Sequence, residues 1–182
     1  NGEEGDESVE YHDSTSDCII CSPGKFADSS NINGNRVCSG CSVGMRVNAE
    51  GDSCTECLKG RYGVIEQGEA ICTVCPAGFY QNSDRSSYCL PCIPGEYQNE
   101  TAATTCKKCE LETYSNTTKL TSCFDCPSGK TAKQMGTASC QKCDAGKFGD
   151  NCDLCAKGKY RSADDDQAST CVECLAGSHQ PN

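Results

Sequence analysis

All twenty cysteines of this 182-residue chain fall in ten Cys-x-x-Cys pairs, and their spacing restricts what chemistry the chain can perform. Cysteines at this spacing form disulfides, bind zinc or catalyse thiol–disulfide exchange. The pairs are Cys18/Cys21, Cys38/Cys41, Cys54/Cys57, Cys72/Cys75, Cys89/Cys92, Cys106/Cys109, Cys123/Cys126, Cys140/Cys143, Cys152/Cys155 and Cys171/Cys174.

The rest of the chain favours disulfides over the other two chemistries. Zinc ribbons also use such pairs, but here ten equivalent pairs follow one another, the loops are acidic and polar, and no histidine lies among them. Exchange catalysis requires a low-pKa thiolate at a helix N-terminus, and helical periodicity is absent. Cysteine accounts for 20 of 182 residues, a level typical of disulfide scaffolds. We therefore predict disulfides, with no metal and no other cofactor.

Other catalytic or binding constellations are missing from the sequence. His12 and His179 lie in the terminal segments, without a nucleophile arranged around them. Asp164-Asp165-Asp166 lacks the spaced ligands of a calcium loop, so we interpret it as a solvated acidic turn. The net charge of −10 disfavours nucleic acid as a partner, because such binding depends on Lys and Arg. We predict that the chain is not an enzyme.

Composition and cysteine content predict an extracellular or cell-surface location. Disulfides persist in oxidising compartments, and small domains use them where the apolar core is insufficient. Trp is absent and mean hydropathy is −0.58. No stretch approaches the roughly 20 apolar residues of a membrane span. Since the chain begins at Asn1, we expect a processed product or fragment, with any membrane anchor outside it.

A repeat of about 17 residues organises the chain, and the period is constant from Cys72 to Cys140. Glycine recurs three residues after the second cysteine of nine pairs, and only Glu112 departs from this rule: Gly24, Gly44, Gly60, Gly78, Gly95, Gly129, Gly146, Gly158 and Gly177. An aromatic residue recurs five residues after it: Phe26, Tyr62, Tyr80, Tyr97, Tyr114, Phe148 and Tyr160. We interpret glycine as a positive-φ turn residue and the aromatic as the miniature core of each unit.

These features predict a small disulfide-rich fold, mostly irregular with short β-hairpins, arranged as an elongated tandem-repeat rod. Turn-forming residues at mid-loop, such as Asn82-Ser83-Asp84, divide each loop into two short arms. Residues 1–17 are predicted to be a flexible acidic arm, residues 18–174 the repeats, and residues 175–182 the start of a truncated further repeat. The short loop 144–151 is expected to bend the array.

Two pairing schemes respect the repeat. In one, each second cysteine bonds the first cysteine of the next pair; in the other, units of four pair first to third and second to fourth, as Cys89–Cys106 with Cys92–Cys109. Equivalent loops without odd–even alternation favour the first scheme, with each pair acting as a hinge between self-contained hairpins. Its nine bonds are Cys21–Cys38, Cys41–Cys54, Cys57–Cys72, Cys75–Cys89, Cys92–Cys106, Cys109–Cys123, Cys126–Cys140, Cys143–Cys152 and Cys155–Cys171.

The favoured scheme leaves Cys18 and Cys174 without a partner. They would bond other molecules or parts of a longer chain outside this sequence, and head-to-tail bonds between copies would build a filament. Two N-glycosylation sequons begin at Asn99 and Asn116, both seven residues after the second cysteine of their pairs. N-linked glycans and self-association, or continuation into a longer chain, are therefore the predicted partners.

The run Cys75-Pro76-Ala77-Gly78-Phe79-Tyr80, repeated as Cys92-Ile93-Pro94-Gly95-Glu96-Tyr97, resembles the ephrin-receptor-like cysteine-rich repeat. The resemblance extends over about Cys18 to Gly177. The first loop of tumour-necrosis-factor-receptor domains is similar, and there one bridge closes the Gly-x-Tyr loop, which supports the favoured pairing by analogy. Residues 143–149 are similar to laminin-type EGF modules, and the whole array to cysteine-rich surface antigens of protists. Glu112 and Thr131 depart from the family pattern, so looser packing is expected there.

The resemblance implies location and shape, because such repeats serve as stalks, spacers and coats in unrelated proteins. We predict a structural extracellular glycoprotein that forms a fibre, stalk or surface coat and polymerises head to tail. The alternative is a receptor or adhesion ectodomain that binds a protein ligand, which would require an anchor cluster confined to one or two units.

Overall fold

The computed structural model describes residues 21–28, 37–162 and 170–178. These residues form eighteen short strands and no helix. The strands are β1 Lys25–Asp28, β2 Val37–Gly40, β3 Met45–Val47, β4 Cys54–Glu56, β5 Arg61–Glu66, β6 Glu69–Val74, β7 Phe79–Tyr80, β8 Leu90–Pro91, β9 Glu96–Tyr97, β10 Lys107–Lys108, β11 Thr113–Tyr114, β12 Phe124–Asp125, β13 Lys130–Thr131, β14 Gln141–Lys142, β15 Lys147–Phe148, β16 Asp153–Leu154, β17 Lys159–Tyr160 and β18 Val172–Glu173.

Within the described residues the strands pair in sequence order as nine antiparallel two-stranded sheets. Each hairpin belongs to one loop closed by one disulfide, and we number these loops 1 to 9 along the chain. In loop 4, for example, Cys75 bonds Cys89 while Tyr80 lies opposite Leu90. The nine bonds are those of the first pairing scheme. The predicted fold class, a disulfide-rich repeat of short hairpins, is confirmed.

In the nine Cys-x-x-Cys pairs from Cys38/Cys41 onward, the two inner residues are part of a hairpin, so the interpretation of the pair as a hinge is wrong. Leu90 and Pro91, between Cys89 and Cys92, form the second strand of loop 4. The amide of Cys92 then donates to the carbonyl of Gly78, with an N···O distance of 2.9 Å. The same bond recurs along the array, so each hairpin ends only at the cysteine that opens the next loop.

A tight turn begins each loop, and its residue at position 3, counting the opening cysteine as position 0, is glycine in every loop except loop 6, where it is Glu112. In loop 4 the amide of Phe79 donates to the carbonyl of Pro76, and Gly78 has φ +84°. Positive φ at this position of the turn is typical of a type II turn, which favours glycine. The nine predicted glycines all have positive φ, as expected.

The buried side chains are mainly the opening cysteines and the residue at position 6, and the aromatic residues are not the core of the unit. Cys75, Cys92 and Cys109 are completely buried, while Gln81 and Gln98 at position 6 are 3% exposed. The aromatic at position 5 is half-buried in loop 4 and exposed in loop 9. A single ring on a two-residue strand has no facing layer that could bury it completely.

Candidate functional site: the stacked loops and their exposed surface

Three backbone hydrogen bonds join each pair of neighbouring loops from loop 3 to loop 7. The amide at position 3 of one loop donates to the carbonyl at position 6 of the next loop, and the amide at position 6 of the first loop donates to the carbonyl at position 11 of the next. In the opposite direction, the amide at position 10 of the next loop donates to the carbonyl of the cysteine that opens the first loop. Between loops 4 and 5 these bonds are Gly78 N to Gln98 O at 2.7 Å, Gln81 N to Ala103 O at 3.0 Å and Ala102 N to Cys75 O at 2.8 Å. Adjacent hairpins are therefore held together by main-chain atoms, which any sequence with the right loop length can supply.

Position 10 requires positive φ, which the residue pattern of the sequence does not indicate. In loops 4 to 7 the residues there are Arg85, Ala102, Lys119 and Gly136, with φ between +56° and +78°. Only one of the four is glycine, so the sequence gives almost no signal for this turn. The strain of a non-glycine residue in this region is compensated by the bond its amide makes to the preceding loop.

Loops 1 to 5 each also contact the loop after next. A Cβ atom added at Gly78 of loop 4 would lie 2.3 Å from the carbonyl oxygen of Lys119 in loop 6. The same approach relates Gly60 to Ala102 and Gly95 to Gly136. In addition, the Lys119 ammonium lies 5.4 Å from the centre of the Phe79 ring. The loops are therefore parts of one stacked array, and their description as self-contained modules is wrong.

Two buried glutamines brace the long loops from inside. In loop 4 the Gln81 amide nitrogen donates to the carbonyl of Tyr88, and its oxygen accepts from the amide of Ser83. Gln98 makes the equivalent bonds in loop 5, to Thr105 and Glu100. Because buried polar groups are costly unless satisfied, these amides fix the loop conformation. The sequence contained one signal for these internal bonds, because glutamine recurs at position 6 of two consecutive loops.

Glu112 and Thr131, the two departures from the family pattern, contact each other. The Thr131 hydroxyl donates to a Glu112 carboxylate oxygen at 2.8 Å, and the amide of Ala132 donates to the other oxygen. Glu112 keeps the glycine-like φ of +61°, and Thr131 is only 5% exposed. The looser packing expected here is therefore wrong.

The length of loop 8 explains why position 3 of loop 6 accepts a side chain. The loop after next is loop 8, whose disulfide joins residues only nine apart, so it ends before position 10. Loop 8 therefore has no position-10 carbonyl of the kind that Lys119 presents to Gly78, and the side chain of Glu112 has room. The space is used instead for the bonds to loop 7.

Replacing Glu112 separates the effect of its side-chain hydrogen bonds from the effect of its positive φ. Glu112→Ala should lower the free energy of unfolding by about 1–3 kcal/mol, because it loses charge-assisted hydrogen bonds while keeping the strained φ. Glu112→Gly loses the same bonds but relieves the strain, so it should be the more stable of the two variants. Denaturant unfolding with intact disulfides measures both. If the alanine variant proved at least as stable as the glycine variant, backbone strain at this position would be excluded.

Arg161 supports the short loop 8 from position 6 of loop 9. Its guanidinium, in a side chain 3% exposed, donates to the carbonyls of Cys143, Asp144 and Lys147. Between loops 8 and 9 the only bond of the three-bond set that recurs in the described residues is the first, from Gly146 to Arg161. Arg161 thus binds the carbonyl of Cys143, the group that in the regular junctions accepts from position 10 of the following loop. The predicted bend at this loop stays a prediction.

The predicted glycosylation residues are both accessible. Asn99 and Asn116 are exposed at position 7 of loops 5 and 6. The Lys107 ammonium donates to the Asn99 side-chain oxygen at 2.9 Å, which leaves the amide nitrogen, the atom that carries a glycan, pointing elsewhere. Cys174 is a free thiol of intermediate exposure. Cys18, His12, His179 and the aspartate run 164–166 lie outside the described residues.

Charged side chains lie mostly at the surface. The Lys147 ammonium hydrogen-bonds Asp144, and together with Lys133 it holds the pKa of that carboxyl below its usual value. Across the described ranges, Cys, His, Asp and Glu side chains form no group of three that could hold a metal ion. Those ranges also contain no helix with the length and apolar character that crossing a membrane requires.

The described residues define a class of protein, a tandem array of disulfide-closed β-hairpins in which the first five loops pack on the next two. Residues 64–105 match the family described as tyrosine-protein kinase ephrin type A/B receptor-like. This segment runs from β5 in loop 3 to near the end of loop 5 and includes both glutamine-braced loops. The resemblance to the ephrin-receptor-like cysteine-rich repeat is therefore confirmed. No curated protein matches the chain.

The disulfides and the family match together point to an extracellular or cell-surface location. The matched family is one of receptor-like, cysteine-rich ectodomains, which are not typically catalytic.

Proposed function

We propose that this chain is a non-catalytic structural segment of an extracellular fibre, stalk or surface coat. The observation that supports this best is the continuity of the stacking. The three junction bonds recur from loop 3 to loop 7, and loops 1 to 5 each contact the two loops that follow. A spacer requires such uniform stiffness, whereas a binding module requires a local anchor cluster. The aromatic residues at position 5 instead recur in seven of the nine loops.

In this proposal the ends of the chain connect the array to further structure. Residues 1–17 carry seven acidic and no basic residues and serve as a linker, while residues 175–182 begin another repeat. The amide of Ser178 already donates to the carbonyl of Leu175, as at the start of every loop. Cys18 and Cys174 then form disulfides with a further repeat of a longer chain or, head to tail, with other copies.

N-linked glycans at Asn99 and Asn116 complete the proposal. Both side chains are exposed and occupy the same position of consecutive loops, so glycans there would extend outward without entering the stacked backbone. In material from the native source, Asn99→Gln and Asn116→Gln should each remove the mass of one glycan, and the double variant the mass of two. An unchanged mass in the double variant would exclude glycosylation of these sites.

The family match favours a second candidate, a receptor or adhesion ectodomain. Electron microscopy of native material distinguishes the two. Filaments or a continuous coat are expected for the structural role, and single particles that bind one protein ligand for the receptor role. Non-reducing electrophoresis provides the second measurement. A chain that runs only as a monomer, with two free thiols or a Cys18–Cys174 bond, would exclude polymerisation by disulfides.

A further inference from the structure

The disulfide of loop 7, Cys126–Cys140, is less protected from solvent than those of the neighbouring loops. The closing cysteine is partly exposed in all nine loops, including Cys140. The opening cysteine is buried in loops 2 to 6 and in loop 8, where it is between 0% and 6% exposed. Cys126 is partly exposed, so both residues of this bridge reach the surface. Loops 1 and 9 also open with partly exposed cysteines, but they lie at the ends of the described array.

The short loop 8 explains this exposure. In loops 3 to 6 the carbonyl of the opening cysteine accepts a bond from position 10 of the next loop, and these four cysteines are at most 1% exposed. Loop 8 ends before position 10, and within the described residues no hydrogen bond reaches the carbonyl of Cys126. In loop 8 itself the guanidinium of Arg161 binds the carbonyl of Cys143, which is 2% exposed. Among loops 3 to 8, loop 7 therefore lacks both the covering turn and a substitute for it.

Burial of the opening cysteine controls how readily a bridge is reduced. Thiol–disulfide exchange begins when a thiolate attacks one sulfur of the bridge and expels the other sulfur as a thiolate. A buried opening cysteine can neither be attacked directly nor leave easily, because a thiolate without water loses its hydration. An attack on the partly exposed Cys89 of loop 4 would release Cys75 into a site with no solvent contact. An attack on Cys140 releases Cys126 toward water.

We propose that Cys126–Cys140 is a redox-sensitive disulfide, which an extracellular thiol or the dithiol of an exchange protein opens while loops 2 to 6 stay closed. The attacking thiolate bonds to the sulfur of Cys140, and the sulfur of Cys126 leaves as a thiolate and takes up a proton. A second thiolate of the reductant then attacks the reductant's own sulfur in this mixed disulfide and releases Cys140, which takes up a proton in turn. One bridge is thus reduced to two thiols, and two thiols of the reductant are oxidised to a disulfide.

Opening this bridge loosens one joint of the array. Loop 7 holds loop 6 through Thr131, whose hydroxyl binds Glu112, and through the amide of Gly136, which donates to the carbonyl of Cys109. Thr131 and Gly136 both lie inside the loop that the bridge closes, so reduction removes the constraint that keeps them against loop 6. The inference goes beyond the proposed structural role, because it gives a stiff array one place where thiols can soften it.

Differential thiol labelling of the full chain measures the order in which the bridges open. Free thiols are first blocked with N-ethylmaleimide, the protein is exposed briefly to reduced glutathione, and new thiols are labelled with an isotopically heavy maleimide. Peptide mass spectrometry then gives a rate for each cysteine. Cys126 and Cys140 should be labelled about tenfold or more faster than the cysteines that close loops 4, 5 and 6, since a buried thiolate is a poor leaving group. Equal rates, or simultaneous labelling of all bridges, would overturn the inference.

Amide hydrogen exchange tests whether the opened bridge loosens its joint. After selective reduction and alkylation, the amide of Gly136 should exchange about tenfold or more faster, because its bond to loop 6 is no longer held in place. The amide of Ala102 makes the equivalent bond between loops 4 and 5, so it is the internal control and should be unchanged. A Gly136 amide that remains equally protected would exclude a redox-sensitive joint.

Lengthening loop 8 tests the cause of the exposure. Inserting Thr-Ala-Ala-Thr-Thr, the residues at positions 9 to 13 of loop 5, between Asn151 and Cys152 supplies the missing position 10. The new carbonyl would face position 3 of loop 6, so the variant also carries Glu112→Gly, and Glu112→Gly alone is the matched control. With the insertion, Cys126–Cys140 should be labelled as slowly as Cys92–Cys106, whereas the control should match the unmodified chain. A bridge that stays fast in an insertion variant with native NMR dispersion would contradict the role of loop 8.

Arg161→Ala is an independent check that does not require the insertion to fold. It removes the group bound to the carbonyl of Cys143, so Cys143–Cys152 should join Cys126–Cys140 among the rapidly labelled bridges. If Cys143–Cys152 remained slow, covering of the opening cysteine would not govern reduction. None of these measurements involves filaments, so failure here is distinguishable from failure of the proposed structural role.

Discussion

Full reduction of the disulfides should unfold the whole array, whereas the loss of one aromatic ring should leave it folded. In the chain-entropy model each bridge of this loop length contributes about 3 kcal/mol, and nine occur in the described residues. These contributions are not additive, but their scale far exceeds that of half-buried rings. The apolar residues that are fully buried are mainly the cysteines themselves. Reduction therefore removes the bonds and separates the side chains that form the core.

Tyr80→Ala is the matched control, since Tyr80 is the half-buried ring of the regular loop 4. Its removal should lower the free energy of unfolding by about 1–2 kcal/mol, because only part of the side chain leaves a protein environment. NMR amide dispersion and amide hydrogen exchange should show a collapsed spectrum after reduction and alkylation, and a native spectrum for the variant. A dispersed spectrum in the fully reduced chain would mean that the interloop bonds alone hold the array.

The parts of this fold that depend on residues close together in the sequence could be predicted. Each Gly at position 3 indicates its own turn, as Pro23-Gly24 shows, and the constant loop length favoured the pairing scheme found in the structure. A hairpin with one turn and one bridge is specified within about 17 residues. The sequence therefore predicted the class of fold and the positive φ of the nine glycines without any knowledge of how loops contact each other.

The stacking of the loops could not be predicted in the same way. Its bonds are made by main-chain atoms, and main-chain atoms carry no residue-type signal. Position 10 requires positive φ but is filled by Arg85, Ala102 and Lys119 as well as by Gly136. Glu112 shows the problem most clearly, because the reason it replaces glycine is the length of loop 8, which begins 31 residues later at Cys143.

Gly78→Ala should destabilise the array much more than Gly158→Ala, although the two glycines share the same local conformation. Their φ values are +84° and +81°, so the intrinsic strain of an alanine, about 1–2 kcal/mol, is the same at both. They differ in their surroundings. A Cβ at Gly78 would lie 2.3 Å from the carbonyl oxygen of Lys119, whereas a Cβ at Gly158 meets nothing within 4 Å. The strain at the turn therefore cancels in the difference between the two variants, and what remains is the cost of disturbing the contact between loops 4 and 6.

The extra cost at Gly78 should be about 1–3 kcal/mol, because the atom that must move belongs to the backbone. Moving Lys119 also weakens the bond that its amide makes to the carbonyl of Cys92, a bond of 3.0 Å in the native array. Amide exchange at Lys119 should accelerate in Gly78→Ala and stay unchanged in Gly158→Ala, while denaturant unfolding with intact disulfides gives the stability difference. Equal losses in the two variants would mean that loops two steps apart do not support each other. The stiffness on which a structural role depends would then come only from neighbouring loops.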